Sequence, residues 1–163
     1  MQTQTLEVRR DDLSKTRIAE RDAPALEDGQ VLMTVERFGI TANNITYGVL
    51  GDAFSYWKFF PAETGWGIIP VWGIGEVAES RHPELAKGER CYGYFPMASH
   101  LVLRPDRVKA ERLIDASAHR ASLPPVYNAY ARLAGERGYD RSLDDERVAL
   151  FPLFATSYVL FDY

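Results

Sequence analysis

Seven aromatic side chains crowd into one short stretch of the sequence, between residues 54 and 72. Aromatic walls with a few hydroxyls suit a flat enone or quinone in a water-poor pocket. The alternative for each ring is that it pins an irregular loop onto the core or forms a subunit contact. The seven residues are Phe54, Tyr56, Trp57, Phe59, Phe60, Trp66 and Trp72.

Metal and nucleophilic chemistry find little support in the remaining reactive residues. His82, His100 and His119 lie far apart, and no two share the four-residue spacing of a helical metal site. No Gly-x-Ser-x-Gly segment supports a Ser-His-Asp triad. Cys91 falls inside a predicted strand, which favours a small buried side chain over a reactive thiol. We therefore expect no metal site.

The glycines do not form a dinucleotide cradle. Such a cradle needs Gly-x-Gly-x-x-Gly between a strand and a helix, with an acidic residue about 20 positions later. Gly73-Ile74-Gly75 lacks the third glycine, and the residues that follow it continue a strand. No Gly-x-x-x-x-Gly-Lys-Ser/Thr segment occurs either. We expect this chain to bind no cofactor by itself.

Length and composition fit one domain: the 163 residues are 46% hydrophobic and 26% charged. The net charge of −4 and the mixing of both signs leave no basic stripe, so nucleic acid is not an expected partner. The N-terminus lacks the apolar core of a secretion signal, and no apolar run approaches the roughly 20 residues of a membrane span. The expected location is the cytoplasm, without a membrane partner.

The predicted elements begin as strands and end as helices. Alternation and turn signals predict strands at 6–10, 16–20, 31–36, 73–77, 88–93 and 99–103, with a short helix at 43–50. After residue 105 the pattern predicts a helical turn at 115–122, a helix at 126–133 and an exposed charged segment at 140–146. Closely spaced strands favour a partly open β-barrel over about residues 1–110. The helical part covers about 111–163, giving one mainly β domain with C-terminal helices (α+β).

Four runs of sequence occur in the order of a known domain: GQVLMTVERFGITANNITYGVLG, IIPVWGIGEVAES, KGERCYGYFPMASHLVLRPDRV and LFPLFATSYVLFDY. Together they resemble the GroES-like domain of the medium-chain dehydrogenase/reductase superfamily. Relatives carry Gly-Val-Cys-x-Thr-Asp or Gly-Val-Asn-x-x-Asp where this chain has residues 39–44, and Pro-Gly-His-Glu-Gly-x-Gly-x-Val where it has 70–77. Thr41 replaces the zinc cysteine, and the His and Glu are missing. The resemblance is therefore to a zinc-free, quinone-reductase-like branch, with the Rossmann domain absent from this chain.

This resemblance implies a reductase that transfers hydride from NADPH to the β-carbon of a conjugated carbonyl, while a hydroxyl stabilises the enolate. Tyr47 is the first choice for that hydroxyl because it lies within one residue of the tyrosine of zinc-free quinone reductases. Thr41 and Asn44 stand at the positions of the metal ligand and the following Asp, and complete the catalytic candidates. An Asn side chain can donate to an oxygen but cannot act as a general base. The substrate-binding candidates are Asn43, at the proton-relay position, with Tyr56, Trp57, Trp66 and Tyr94.

Two functions remain open. The first is the substrate-binding half of a zinc-independent, NADPH-dependent reductase of enones or quinones, inactive until a nucleotide-binding domain is supplied in cis or in trans. The second is a free-standing barrel without redox activity that binds a small molecule or a protein partner, with an apolar face that would favour a homodimer. The last segment resembles the helix that leads to the nucleotide domain, and its end at Tyr163 lacks capping residues, which favours a truncated or split gene.

Overall fold

The computed structural model describes the backbone of residues 1–161, and their side chains except at positions 156 and 159–161. The strands are β1 (Gln2–Arg9), β2 (Thr16–Asp22), β3 (Val31–Gly39), β4 (Trp66–Gly67), β5 (Pro70–Ser80), β6 (Arg90–Pro96), β7 (His100–Leu103), β8 (Pro105–Asp106), β9 (Arg112–Asp115) and β10 (Ala129–Arg132). The α-helices are α1 (Ala42–Val49) and α2 (Asp144–Phe161). Short 3₁₀ turns lie at Tyr56–Lys58, Ala118–Arg120, Pro125–Asn128, Leu133–Gly135 and Arg141–Leu143.

The strands form two antiparallel sheets that meet along the segment between β6 and β7. The small sheet has the order β2-β1-β4, and the large one has the order β7-β3-β5-β6-β10-β9-β8. The Leu6 N–H donates to the Met97 carbonyl, and the Ser99 N–H donates to the Gln4 carbonyl, both at 2.8 Å. These bonds join β1 to the rim of the large sheet. The expected fold class, a mainly β, GroES-like partial barrel with helices in its C-terminal part, is confirmed.

Alternation along β6 divides its side chains between the two faces of the large sheet. Cys91 and Phe95 belong to the main core inside the barrel. Tyr92 and Tyr94 point to the other face, where they join two smaller apolar clusters. Burial raises the pKa of Cys91 to about 12, with a smaller contribution from Glu89, so the thiol behaves as the buried apolar side chain that the sequence predicts.

Helix α2 lies across the outer face of the large sheet and is fixed at its first turn. Arg90 donates to Asp144 at 2.7 Å, and the Tyr139 hydroxyl donates to the same carboxylate at 2.8 Å. One turn further on, a Cβ atom at Gly39 would lie 2.3 Å from the Val148 carbonyl oxygen, so only glycine lets β3 and α2 approach this closely. Pro152, inside the helix, has no N–H to offer that carbonyl.

Several local predictions are wrong. The helix predicted at 126–133 is present only as the 3₁₀ turn Pro125–Asn128. From Ala129 to Arg132 the chain forms β10, which pairs with β6 and β9, because the Tyr130 side chain fills the barrel interior. The barrel sheet therefore extends to Arg132 rather than to about residue 110. β6 continues through Gly93 to Pro96. The segment 140–146 is not uniformly exposed, since Asp144 is buried against Arg90.

The predicted helical part also included Asp162 and Tyr163, which lie outside the described residues. Over the part of the chain that is described, no helix combines the length and the apolar composition needed to cross a membrane.

Candidate functional site

Six aromatic side chains from five elements converge on the face of the sheet that α2 partly covers. Trp72 and Tyr94 stand opposite each other on β5 and β6, with ring centres 5.1 Å apart. Tyr47 from α1 lies 5.8 Å from Tyr94, and Tyr127 from the 3₁₀ turn lies 4.6 Å from it. We call this group the tyrosine cluster; its members are Tyr47, Tyr56, Trp72, Tyr92, Tyr94 and Tyr127.

A cavity of about 310 Å³ opens between the tyrosine cluster and α2. This volume is at the lower end of the range for small-molecule sites, about 300–1,000 Å³. Every residue that lines it is uncharged, so it suits a neutral ligand with a flat ring system. The lining residues are Asn43, Tyr47, Trp72, Tyr92, Val126, Tyr127, Phe151, Pro152 and Ala155.

The phenols of the cavity are held in their protonated form. Burial raises the pKa of Tyr47, and the neighbouring Trp72 and Tyr94 side chains only partly offset that effect. Burial also raises the pKa of Tyr127, with a further contribution from Tyr56. At neutral pH both side chains therefore offer an O–H that can donate to a ligand oxygen.

Tyr94 lies beneath the cavity rather than on its wall. Its side chain is fully buried, and its hydroxyl has no hydrogen-bond partner among the described residues. Its backbone carbonyl accepts a hydrogen bond from the Tyr130 hydroxyl at 2.5 Å. Tyr94 therefore supports the ring of Tyr127 and the ring of Tyr47 from below.

The two neighbouring asparagines have different surroundings. Asn44 is buried; its side-chain oxygen accepts from the Thr41 N–H at 2.7 Å, and its amide donates to the Pro70 carbonyl at 2.9 Å. This predicted catalytic residue is thus committed to capping α1 and tying it to β5. Asn43 is exposed and lines the cavity, and its side chain makes no hydrogen bond to a described residue. Thr41 lies in a narrow crevice between α1 and α2 that is too small for a ligand.

Two predicted substrate-binding tryptophans lie away from the cavity. Trp57 is buried between two glycines: a Cβ atom at Gly51 would lie 2.1 Å from its indole, and one at Gly67 would lie 2.5 Å from it. It therefore packs the loop against the barrel. Trp66 is in the small sheet, where the Arg17 guanidinium lies 4.1 Å from its ring centre. Of the predicted substrate-binding residues, Asn43 lines the cavity, and Tyr56 and Tyr94 belong to the cluster beside it.

Sequence reasoning missed part of the cavity wall. Tyr92 carried a usable signal, since it lies two residues before Tyr94 in a strand and so shares its face. The helix predicted at 126–133 would put Tyr127 and Tyr130 on one face, because they lie three residues apart. Instead β10 sends Tyr130 into the barrel, and the 3₁₀ turn before it leaves Tyr127 at the cavity. No sequence signal indicated that Phe151 would line the cavity.

The histidines do not form a reactive centre. His119 contacts the Phe59 carbonyl at 3.2 Å through Nε2, and the pKa of His119 is lowered, chiefly by burial. His100 pairs with the Ser99 hydroxyl at 2.8 Å. Across the described residues, no group of three or more His, Cys, Asp or Glu side chains could hold a metal ion.

The profile of one protein family, described as "Protein of unknown function (DUF2855)", matches residues 38–163 of this sequence. The chain belongs to the DUF2855 family. The match includes α1, the strands from β4 onward and α2, and so contains all residues that line the cavity.

The quinone oxidoreductase from Coxiella burnetii is similar at a TM-score of 0.43 and 12% identity, over 78% of this chain. The chain spans 40% of the length of that protein. A likeness at this level carries no argument about activity. No curated protein matches the sequence.

Proposed function

We propose that the cavity binds and polarises a neutral, planar carbonyl compound, an enone or a quinone. In this proposal the chain is the substrate-binding half of a zinc-independent reductase related to the medium-chain dehydrogenases/reductases. The observation that carries it is the cavity itself, in which the Tyr47 phenol and the Asn43 amide meet aromatic walls without any charged side chain.

Tyr47 has the central role in this proposal. Like any tyrosine whose pKa lies at or above the ordinary value, Tyr47 is protonated at neutral pH, so its hydroxyl can donate a hydrogen bond to the carbonyl oxygen of the ligand. That bond strengthens as negative charge develops on the oxygen during reduction, which is the differential interaction that accelerates a reaction. Asn43 supplies a second donor from the preceding turn of α1. Trp72 and Tyr127 provide flat apolar walls for the ring and exclude water.

The described residues do not fit a dinucleotide cofactor. Gly73-Ile74-Gly75 lies inside β5, which pairs with β3 on one side and with β6 on the other, so its backbone is occupied by the sheet. The proposal therefore assigns the hydride donor, expected to be NADPH, to a nucleotide-binding domain in cis or in trans. On this view the chain alone binds the carbonyl compound and does not reduce it.

One observation favours the second function, a free-standing barrel whose α2 face is covered by a partner such as a second copy of the chain. Large apolar side chains are exposed along α2. They are Leu150, Phe151, Leu153, Phe154 and Tyr158. Such a surface is typical of an interaction site. Sedimentation velocity would test this: a concentration-dependent dimer supports the covered face, and a monomer at all concentrations argues against it.

Isothermal titration calorimetry of the chain with 1,4-naphthoquinone, 2-cyclohexen-1-one and NADPH tests the main proposal. We expect binding of a carbonyl ligand, and an affinity about tenfold lower in Tyr47→Phe, because one neutral hydrogen bond is lost. Tyr158→Phe makes the same chemical change outside the cavity and should leave the affinity unchanged. The proposal is wrong if neither carbonyl ligand binds, and its cofactor part is wrong if the chain alone binds NADPH.

A further inference from the structure

A second cavity, of about 400 Å³, adjoins the proposed ligand cavity. It lies between α2, which contributes Phe151, and the sheet, which contributes Tyr92, Ala129 and Ala131. We call this space the side groove. Tyr92 and Phe151 line both the cavity and the side groove, and their rings meet edge to face at 5.6 Å. The two spaces therefore lie on either side of one aromatic pair.

Phe151 is the part of this divider that has room to move. The residue is 43% exposed, whereas Tyr92 is 4% exposed and belongs to a buried apolar cluster. A rotation of the Phe151 side chain toward solvent would open no buried void, because one side of the ring already faces water. A ligand that spans the cavity and the side groove can therefore displace Phe151 at low cost.

The helical wall of the side groove is fixed before any ligand binds. Arg147 donates to both carboxylate oxygens of Glu136, at 2.9 and 2.6 Å, and so fastens α2 beside the groove. Its guanidinium lies 4.7 Å from the ring centre of Tyr92 and 5.2 Å from that of Phe151. A wall held in this way reduces the ordering cost of binding.

The sheet wall is open because its outward side chains are small. Tyr130 fills the barrel interior, so its neighbours Ala129 and Ala131 face the opposite side, where both line the side groove. Two methyl groups stand where larger side chains would fill the space. The surface that they offer a ligand is apolar.

The charges around the side groove balance. Two carboxylates and two guanidinium groups line it, and the pair formed by Arg147 and Glu136 neutralises itself. The other two, Glu111 and Arg112, are neighbours in the chain with opposite signs. A charged substituent would meet attraction and repulsion together, so an uncharged one is favoured.

We propose that the side groove binds an uncharged, flexible substituent of the same ligand whose planar ring occupies the cavity. This rests on the proposed function and narrows its substrate class to cyclic enones or quinones that carry an alkyl or alkenyl chain. Phe151 turns toward solvent when such a ligand binds.

The test compares 1,4-naphthoquinone with 2-hexyl-1,4-naphthoquinone, by calorimetric titration of the full chain. We expect the hexyl compound to bind the original chain about tenfold more tightly, since burial of about two CH₂ groups gives that factor. Ala129→Trp fills the side groove without adding to the wall of the cavity, and should lose this gain. Ala118→Trp adds the same ring at an exposed position outside both spaces, and should keep the gain.

The ratio of the two affinities within each variant separates the side groove from the cavity. If the hexyl chain brings no gain, or if Ala129→Trp and Ala118→Trp show the same gain, the side-groove proposal is overturned and binding of 1,4-naphthoquinone still supports the proposed function. If neither compound binds the original chain, the proposed function itself fails. Should Ala129→Trp fail to unfold cooperatively on heating, Ala129→Leu makes the same comparison with a smaller increase in volume.

Discussion

Replacing Arg120 is the most direct test of how the barrel holds the candidate site together. Arg120 is 1% exposed and pairs with the equally buried Asp115 at 3.0 Å. The same guanidinium donates to the Tyr130 hydroxyl at 2.9 Å and to the carbonyls of Phe59 and Tyr94 at 3.3 and 3.4 Å. These contacts tie the loop that contains Phe59, and strand β6, to one buried cation.

Arg120→Met keeps most of the side-chain volume but leaves the Asp115 carboxylate buried without its cation. Removing one partner of a buried ion pair typically costs about 3–5 kcal/mol. Small domains have a free energy of unfolding of about 5–15 kcal/mol, so this loss should be large in urea unfolding followed by circular dichroism.

Two further variants make the Arg120 result interpretable. Adding Asp115→Asn to Arg120→Met removes the stranded charge, and its side-chain oxygen can still accept from the Ser117 and Arg104 N–H groups, so part of the stability should return. Arg9→Met breaks a surface pair with Asp11 and should cost far less. The reasoning would be refuted if Arg120→Met destabilised the protein no more than Arg9→Met does.

The remaining predictions concern α1 and α2. Asn44→Ala should lower the free energy of unfolding by about 1–2 kcal/mol, since it removes the cap of α1 and a bond to β5, while Asn43→Ala should leave stability unchanged and weaken binding of 1,4-naphthoquinone. Equal effects of the two variants on stability would contradict this assignment. Burial raises the pKa of Asp144, but Arg90 and Tyr139 outweigh it and hold the pKa below its ordinary value. The stability that this carboxylate contributes is therefore present above about pH 4 and is lost as the pH falls through its folded pKa. Urea unfolding between about pH 5 and pH 2 should show a smaller acid-induced loss in Asp144→Asn, and identical pH profiles would argue against the effect.

Local pattern in the sequence was enough to predict the fold class. Alternating residues placed the early strands, and the glycine pair at 73–75 marked β5 as a barrel strand rather than a phosphate loop. The same reasoning failed at 129–132, since the predicted helix ends after one 3₁₀ turn, Pro125–Asn128. The strand β10 forms there instead of a helix, because its backbone completes the sheet between β6 and β9 while Tyr130 fills the core. Tertiary burial outweighs a helix signal of this length.

The sequence by itself predicted the barrel and the burial of Cys91, and its resemblance to zinc-free quinone reductases made Tyr47 the first candidate donor. Only the tertiary structure decided which neighbours surround that phenol. Cross-strand register brings Trp72 next to Tyr94, and the docking of α2 brings Phe151 to the cavity from a distant part of the chain. The tertiary structure also gives Asn43 and Asn44 different surroundings. It places Trp72 at the cavity and Trp57 away from it. Sequence periodicity reports which side chains are buried, but a site depends on which buried faces meet, and that is set by strand register and helix packing.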